Sequence, residues 1–317
     1  MTYDVGASGS GVAFDAVPGA RLLKNIAIVT HCVQDLALAE AAWTSLLGYR
    51  TVERGLLDTD TCAAWDTPAA AGQRWCLMQP ASGEDCWLRF VETGERSHPP
   101  PATLGWCATE LLVSDVDGLA RELAGSAFRR LGGPGDLYPR PSAPRAMQAI
   151  GPSGELVYFT RLLPGGSRYG LKQAQSRVDR PFIVTVAGTD GAGMHRFYGQ
   201  SLGLRVMDRT PFVNGLLAML CDTPPDTVFP TAVAAIPGRK FLVEMDEFPL
   251  HVGPRPRRAG ALPGGMAMVS FRVNSLESIG IPLRSAPRRL AGAAYGDARA
   301  AVIEGAAGEW LELIEAA

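Results

Sequence analysis

The sequence predicts an α+β fold of four βαβββ modules paired into two domains, and three observations carry that expectation. One plan recurs four times along the chain, which makes self-similarity the first organising fact. Within each repeat the apolar residues alternate, then shift to a helical period of about 3.6, then alternate again. A length of 317 residues with 47% hydrophobic content suits two ordinary domains, each with its own core.

The first repeat, "LKNIAIVTHCVQDLALAEAAWTSLLGYRTVERG", reads as a strand from Leu23 to Thr30 and a loop through Asp35. A helix follows from about Leu36 to Leu47, stopped by Gly48 and succeeded by a second strand. The third repeat, "PFIVTVAGTDGAGMHRFYGQSLGLRVMDR", puts Phe197, Tyr198, Leu202 and Gly203 where the first has Ala42, Trp43, Leu47 and Gly48. The second, "GWCATELLVSDVDGLARELAGSAFRRLGG", gives strand, Asp115 and helix, and closes in "GPSGELVYFTRL". The fourth, "GGMAMVSFRVNSLESIGIPLRSAPRRL", has the same opening and closes in "EGAAGEWLELIE". The closing glutamates at 309, 312 and 315 suit a helix face, but a tight turn followed by alternating apolar residues reads as a strand, as in the second repeat.

These signals divide the chain into a tail over 1–21, modules one and two over 22–163, a linker over 164–180, and modules three and four over 181–317. "GASGSG" in the tail lacks the preceding strand and following helix of a nucleotide-binding loop. The run Arg255, Arg257, Arg258 reads as a solvated connector.

With a net charge of -2 and no long basic run, neither nucleic acid nor an anionic membrane is indicated as a partner. No apolar run approaches the roughly 18 residues of a membrane span, and the first residues lack the pattern of a signal peptide. The expectation is a cytoplasmic protein, monomer or homodimer, whose partner is a small molecule. The six cysteines are scattered without a C-x-x-C pair, so they read as small buried hydrophobes rather than zinc ligands.

The paired modules, the Asp-capped helices, "FYGQSLGL" and the turns "GPSGELVYF" and "AAGEWLELIE" together resemble the vicinal oxygen chelate superfamily over residues 22 to 316. That superfamily includes glyoxalases, extradiol dioxygenases, epimerases and the fosfomycin and bleomycin resistance proteins. The resemblance implies that each domain is a cupped, mostly antiparallel sheet with helices outside. It also implies a metal held by a His from one opening strand, a His or Gln from its partner's, and a Glu from a closing strand. Here the histidine positions fall at Asn25, Ala108, Phe182 and Met268, and the glutamate positions at Arg89, Tyr158, Glu244 and Glu312. No metal and no cofactor is therefore expected. Of the four histidines, His31 falls past the first strand, His98 and His251 in connectors and His195 on a helix, all read as surface or loop residues.

What remains is acid–base chemistry. The expected catalytic set is Glu110 as base, with Arg89, Asn25 and Tyr158 binding a carbonyl or phenolate oxygen in an N-terminal cup. The competing reading is an Arg89–Glu110 ion pair that fills the cup. Glu244, Ser270, Arg272 and Glu312 form the corresponding C-terminal set, either ligand-binding or a compensated cluster. Trp106, Trp87 and Tyr138, with Trp65 and Trp75, would favour a flat or hydrophobic ligand if they line the cup rather than the core. The Pro-rich stretch 132–145 reads as a lid. The functional expectation is a metal-independent lyase, isomerase or eliminating enzyme acting on a hydrophobic, aromatic or carbonyl-bearing small molecule. A sequestering protein of the resistance type, and a divalent-metal enzyme using Glu244 and Glu312, are the alternatives.

Overall fold

The opening strand of the first module, β1 (Leu23–Val33), begins a helix-and-sheet unit whose joints follow from local chemistry. In the computed structural model, which describes residues 22–94, 103–165, 170–238 and 240–316, the Asp35 carboxylate caps α1 (Leu36–Leu47) by accepting from Leu38 N at 3.0 Å. Gly48 ends that helix at φ 74°, a left-handed conformation that glycine adopts without a Cβ penalty. Then come β2 (Arg50–Leu56), α2 (Thr59–Trp65), β3 (Arg74–Gln79) and β4 (Trp87–Glu92). The predicted tail 1–21 and His98 lie outside the described residues.

Module two repeats the plan with β5 (Gly105–Val113), α3 (Val116–Glu122, capped by Asp115), β6 (Arg129–Asp136), β7 (Arg145–Ile150) and β8 (Leu156–Arg161). Module three has β9 (Val178–Gly188), α4 (Gly191–Arg196) with a π-helical turn at Phe197–Ser201, and β10 (Arg205–Val206). It continues with α5 (Gly215–Leu220), β11 (Thr231–Ala235) and β12 (Leu242–Glu247). Module four has β13 (Met266–Val273), β14 (Arg288–Arg289), β15 (Arg299–Glu304) and β16 (Trp310–Glu315). Its predicted helix is replaced by turns, because Gly280 and Pro282 fall within two residues of each other. β16 confirms "WLELIE" as a strand.

Two curled eight-stranded sheets result, and their strand orders correct the expected pairing. The first runs β14-β15-β16-β13-β1-β4-β3-β2 and the second β10-β11-β12-β9-β5-β8-β7-β6. Modules one and four therefore share a sheet through the antiparallel pair β1–β13, and modules two and three through β5–β9. The sequence reading had grouped modules one with two and three with four. Sequence neighbours do meet, but through helices and turns rather than strands. Trp43 Nε1 on α1 donates to Glu155 Oε1 in the second module's closing turn at 3.1 Å, and Tyr198 OH of the third module donates to Glu309 Oε1 of the fourth at 2.8 Å.

A large apolar core joins residues of all four modules, with Trp43 against Phe90 and Phe128, and Phe128 against Phe159. Burying side chains of this size contributes about 2 kcal/mol each. His31 belongs to this core, 2% exposed on β1 and stacked on Phe90, so its expected surface position is wrong. Burial and the nearby Arg255 hold it neutral, with a pKa lowered to about 3. Nor is the whole basic run solvated: Arg255 donates to the carbonyls of Trp106, Gly264 (3.0 Å) and Met266 (2.6 Å), clamping the second module to the fourth. All six cysteines are buried, as expected. Among the described residues no helix is long and apolar enough to cross a membrane.

Candidate active site

Strand register defines equivalent positions in the four modules. Beside the closing-strand residues Arg89, Tyr158, Glu244 and Glu312 stand Thr30, Glu110, Thr185 and Ser270 on the opening strands. Across the central antiparallel pairs, Thr30 meets Met268, Ser270 meets Ile28, Glu110 meets Ile183 and Thr185 meets Ala108. Residues paired across a sheet share a face. Each sheet thus has one cup, and each cup has two quasi-equivalent halves.

The cup of modules one and four is filled by its own side chains. Glu312, fully buried, accepts from Trp65 Nε1 at 2.6 Å, from Tyr295 OH at 2.7 Å and from Ser270 Oγ. Arg89, 3% exposed, donates to Tyr295 OH at 2.7 Å. Its guanidinium lies 4.9 Å from the Trp65 ring centre and 5.2 Å from that of Tyr295, within cation–π range. Trp65 ends α2, and Tyr295 lies in the connection between β14 and β15. Both modules therefore send an aromatic plug into this cup.

The cup of modules two and three is covered at one end by α5 and at the other by Leu171 and Ala174, which pack with Leu112, Leu162, Phe182 and Ile183. Leu216, Leu217 and Leu220 of α5 pack over Cys107, Ala108, Leu156 and Ala187. The connection between β6 and β7 contributes no residue to this apolar cluster. Glu110, Tyr158, Ile183 and Glu244 keep a partly exposed surface on the concave face. Burial pushes the Glu110 carboxyl up to about 7, opposed by a hydrogen bond from Thr160 Oγ1. Asp246, 3% exposed and hydrogen-bonded by Thr231 at 2.7 Å, is pushed up to about 6 by the same desolvation. Burial raises the Tyr158 phenol well above its ordinary value, reinforced by Asp246, Glu244, Cys107 and Glu110, so it stays protonated.

No protein-family model matches this sequence, and no curated protein matches it. Solved structures do. Glyoxalase I from Zea mays superposes with a TM-score of 0.60 over 92% of this chain and 92% of its own, at 12% identity. A proposed dioxygenase from Bacillus subtilis gives a TM-score of 0.61 over 94% of this chain and 86% of its own, at 10% identity. The chain has the vicinal oxygen chelate fold.

The metal arrangement of the vicinal oxygen chelate fold does not fit the residues present. Register places the positions symmetry-related across the central strands at Ile28, Ala108, Ile183 and Met268, all apolar. Two of these correct the sequence reading. Asn25 is displaced because bulges between Leu23 and Asn25 and between Ile26 and Ile28 shift the register of β1. Phe182 is one residue early and packs with Leu112 and Leu162. Among the described residues no three His, Cys, Asp or Glu converge as a metal ion would require.

The predicted catalytic set is split between the two sheets. Glu110 and Tyr158 are direct neighbours on β5 and β8, whereas Arg89 is sealed in the other cup, so the competing reading, an Arg89–Glu110 ion pair, does not hold either. Asn25 lines a polar crevice of about 430 Å³ with Lys24, Glu84 and Lys240, outside both cups. Of the second set, Glu244 joins Glu110 and Tyr158, while Ser270 and Glu312 join Arg89, and Arg272 donates to the Ala294 carbonyl at that cup's rim. Trp106 is core, donating to the Trp310 carbonyl at 2.7 Å, and Trp87 packs within the filled cup. Tyr138 is half-buried on the connection between β6 and β7, near Arg140. The stretch 132–145 comprises the end of β6, an eight-residue connection over 137–144 and the first residue of β7. Sequence reasoning missed Asp246 and Gln148, which alternation along β12 and β7 places on the concave face beside Glu244 and Tyr158.

Proposed function

We propose that the chain is a small-molecule enzyme working in the cup of modules two and three, with Glu110 exchanging a proton with the bound ligand and no metal required. The observation that carries this reading is the contrast between the cups: one is closed by Trp65, Tyr295, Arg89 and Glu312, while the other leaves Glu110 beside Tyr158 with surface open to solvent. A carboxyl with a pKa of about 7 is matched to proton transfer at neutral pH, because both of its forms are populated. Tyr158, held as the phenol, can donate a hydrogen bond to the same ligand. Thr160 steadies one Glu110 oxygen and leaves the other for the ligand.

The expected oxygen-polarising role of Arg89 is withdrawn, since its guanidinium lies in the other cup. Proton transfer, as in isomerisation or elimination, is the chemistry best supported by what remains. The test is turnover on a substrate found by screening metabolite mixtures, with and without chelator. Glu110→Gln should abolish turnover and Tyr158→Phe reduce it, while chelator should have no effect. Full activity of the Gln variant would remove Glu110 from the mechanism. Recovery of tightly bound but chemically unchanged ligand would reassign the cup to sequestration.

A further inference from the structure

The polar groups of the open cup have one property in common: they accept hydrogen bonds. Glu110 and Gln148 flank Tyr158 on either side, paired with it across β5–β8 and β7–β8, and Asp246 lies on β12 near α5. Among the described residues neither Glu110 nor Asp246 has an ion-pair partner, and a threonine hydroxyl is the side-chain donor to each. The titratable groups felt by the Tyr158 phenol are Asp246, Glu244, Glu110 and the thiol of Cys107, none of them cationic. Glu244 lies two strands from Glu110 on β12, toward the β10 edge of the same sheet.

A second observation is independent of the carboxyls. Gln148 is 3% exposed, and among the described residues its Oε1 has no hydrogen-bond partner. The oxygen lies over Gly132, where a Cβ would come within 2.8 Å of it, so that glycine keeps clear the space the amide occupies. A buried acceptor without a donor is costly, and a ligand N–H reaching the cup face over Gly132 would relieve it. A metal ion would not, because among the described residues no three carboxyl, thiol or imidazole groups converge here. Two strand spacings, about 10 Å, separate the backbones of Glu110 and Glu244. The wall between these acceptors is apolar, with Leu131, Ile150 and Leu156 beside Tyr158 and Ile183 opposite Glu110.

We propose that this cup takes an organic cation, an ammonium or amidinium group on an apolar body. Its N–H donors would meet Glu110 and the Gln148 oxygen, its charge the Tyr158 ring, and its body Ile150, Leu156 and Ile183. The inference rests on the reading of the same cup as the small-molecule site, and gives that site its substrate class. Association also drives Glu110 into its ionised form, so near pH 7 it releases protons.

Three probes of one shape but different charge test it: phenylbutylamine, phenylbutanol and phenylbutyrate. Binding is read from methyl NMR shifts of Ile150, Ile183 and Leu156, and from calorimetry in two buffers of different ionisation enthalpy. The amine should move these methyls, bind about tenfold more tightly than the alcohol, and release protons, with the carboxylate weakest. Glu110→Gln, which keeps the side-chain shape, should bring amine and alcohol within about threefold of each other. Equal binding of the three, or preference for the carboxylate, overturns the cation inference and leaves the small-molecule site standing. Failure of all three at millimolar concentration to move the cup methyls overturns both.

Discussion

Removing the Glu312 carboxylate should unseat the plug that closes the first cup. Glu312 is fully buried and accepts from Trp65, Tyr295 and Ser270. A hydrogen bond to a charged acceptor contributes about 1.5–3 kcal/mol, so three would sum to about 4–9 kcal/mol if they were additive. They are not, because removing the charge also removes its own desolvation penalty. Glu312→Ala is therefore expected to cost about 3–5 kcal/mol, leaving three orphaned donors and an Arg89 whose hydrogen-bonded partner Tyr295 has lost its acceptor. Glu312→Gln keeps an acceptor oxygen and should cost about 1–2 kcal/mol. Urea unfolding followed by near-ultraviolet circular dichroism, which senses the buried tryptophans, measures both. A loss below about 1 kcal/mol in the Ala variant would refute the view that this network holds the cup shut. Ligand binding in the other cup should be unchanged in the Gln variant.

The remaining predictions concern pH, caps and the ties between modules. Glu110 keeps its proton up to about pH 7 in the fold but would lose it near 4.5 when unfolded. Its contribution to stability is thus present below that lower value and lost as pH rises toward 7. Glu110→Gln should stabilise the protein by about 1–3 kcal/mol at pH values above 7 and by nothing near pH 4, read from urea midpoints across a pH series. Glu309, buried and likewise pushed up to about 7, should behave similarly, though Glu309→Gln also weakens the bond from Tyr198 and so gains less. Asp35→Ala removes the α1 cap and should cost about 1 kcal/mol by the same measurement. Trp43→Phe removes the indole donor to the buried Glu155 carboxylate and should cost about 1–3 kcal/mol; an unchanged midpoint would mean that the tie between modules one and two carries no load.

How far the site could be read from the sequence depends on which interactions were local. Glu110 and Tyr158 belong to one module, and strand alternation correctly placed both on the concave face. Arg89 was equally well placed within its own module, but assigning it to the same cup as Glu110 required knowing which modules share a sheet. Asn25 failed for another reason: two bulges in β1 shift the side-chain period, and alternation carries no mark of where an extra residue is inserted. The fourth module's helix was predicted from its repeat position, although Gly280 and Pro282 already argued locally against it.

The sequence by itself determined the four modules, the caps Asp35, Asp115 and Asp190 at the starts of three helices, and the closing strand at Trp310–Glu315. Those features depend on residues a few positions apart, whose preferences act before any tertiary contact forms. Only the tertiary structure decided that module one pairs with four and two with three, and hence that Arg89 and Glu312 share one cup and Glu110 and Asp246 the other. Edge-to-edge pairing of β1 with β13 or β5 with β9 uses backbone hydrogen bonds, which every module offers alike. The choice of partner is set by packing across more than 200 residues between Trp65 and Glu312, separations at which local patterns carry no information.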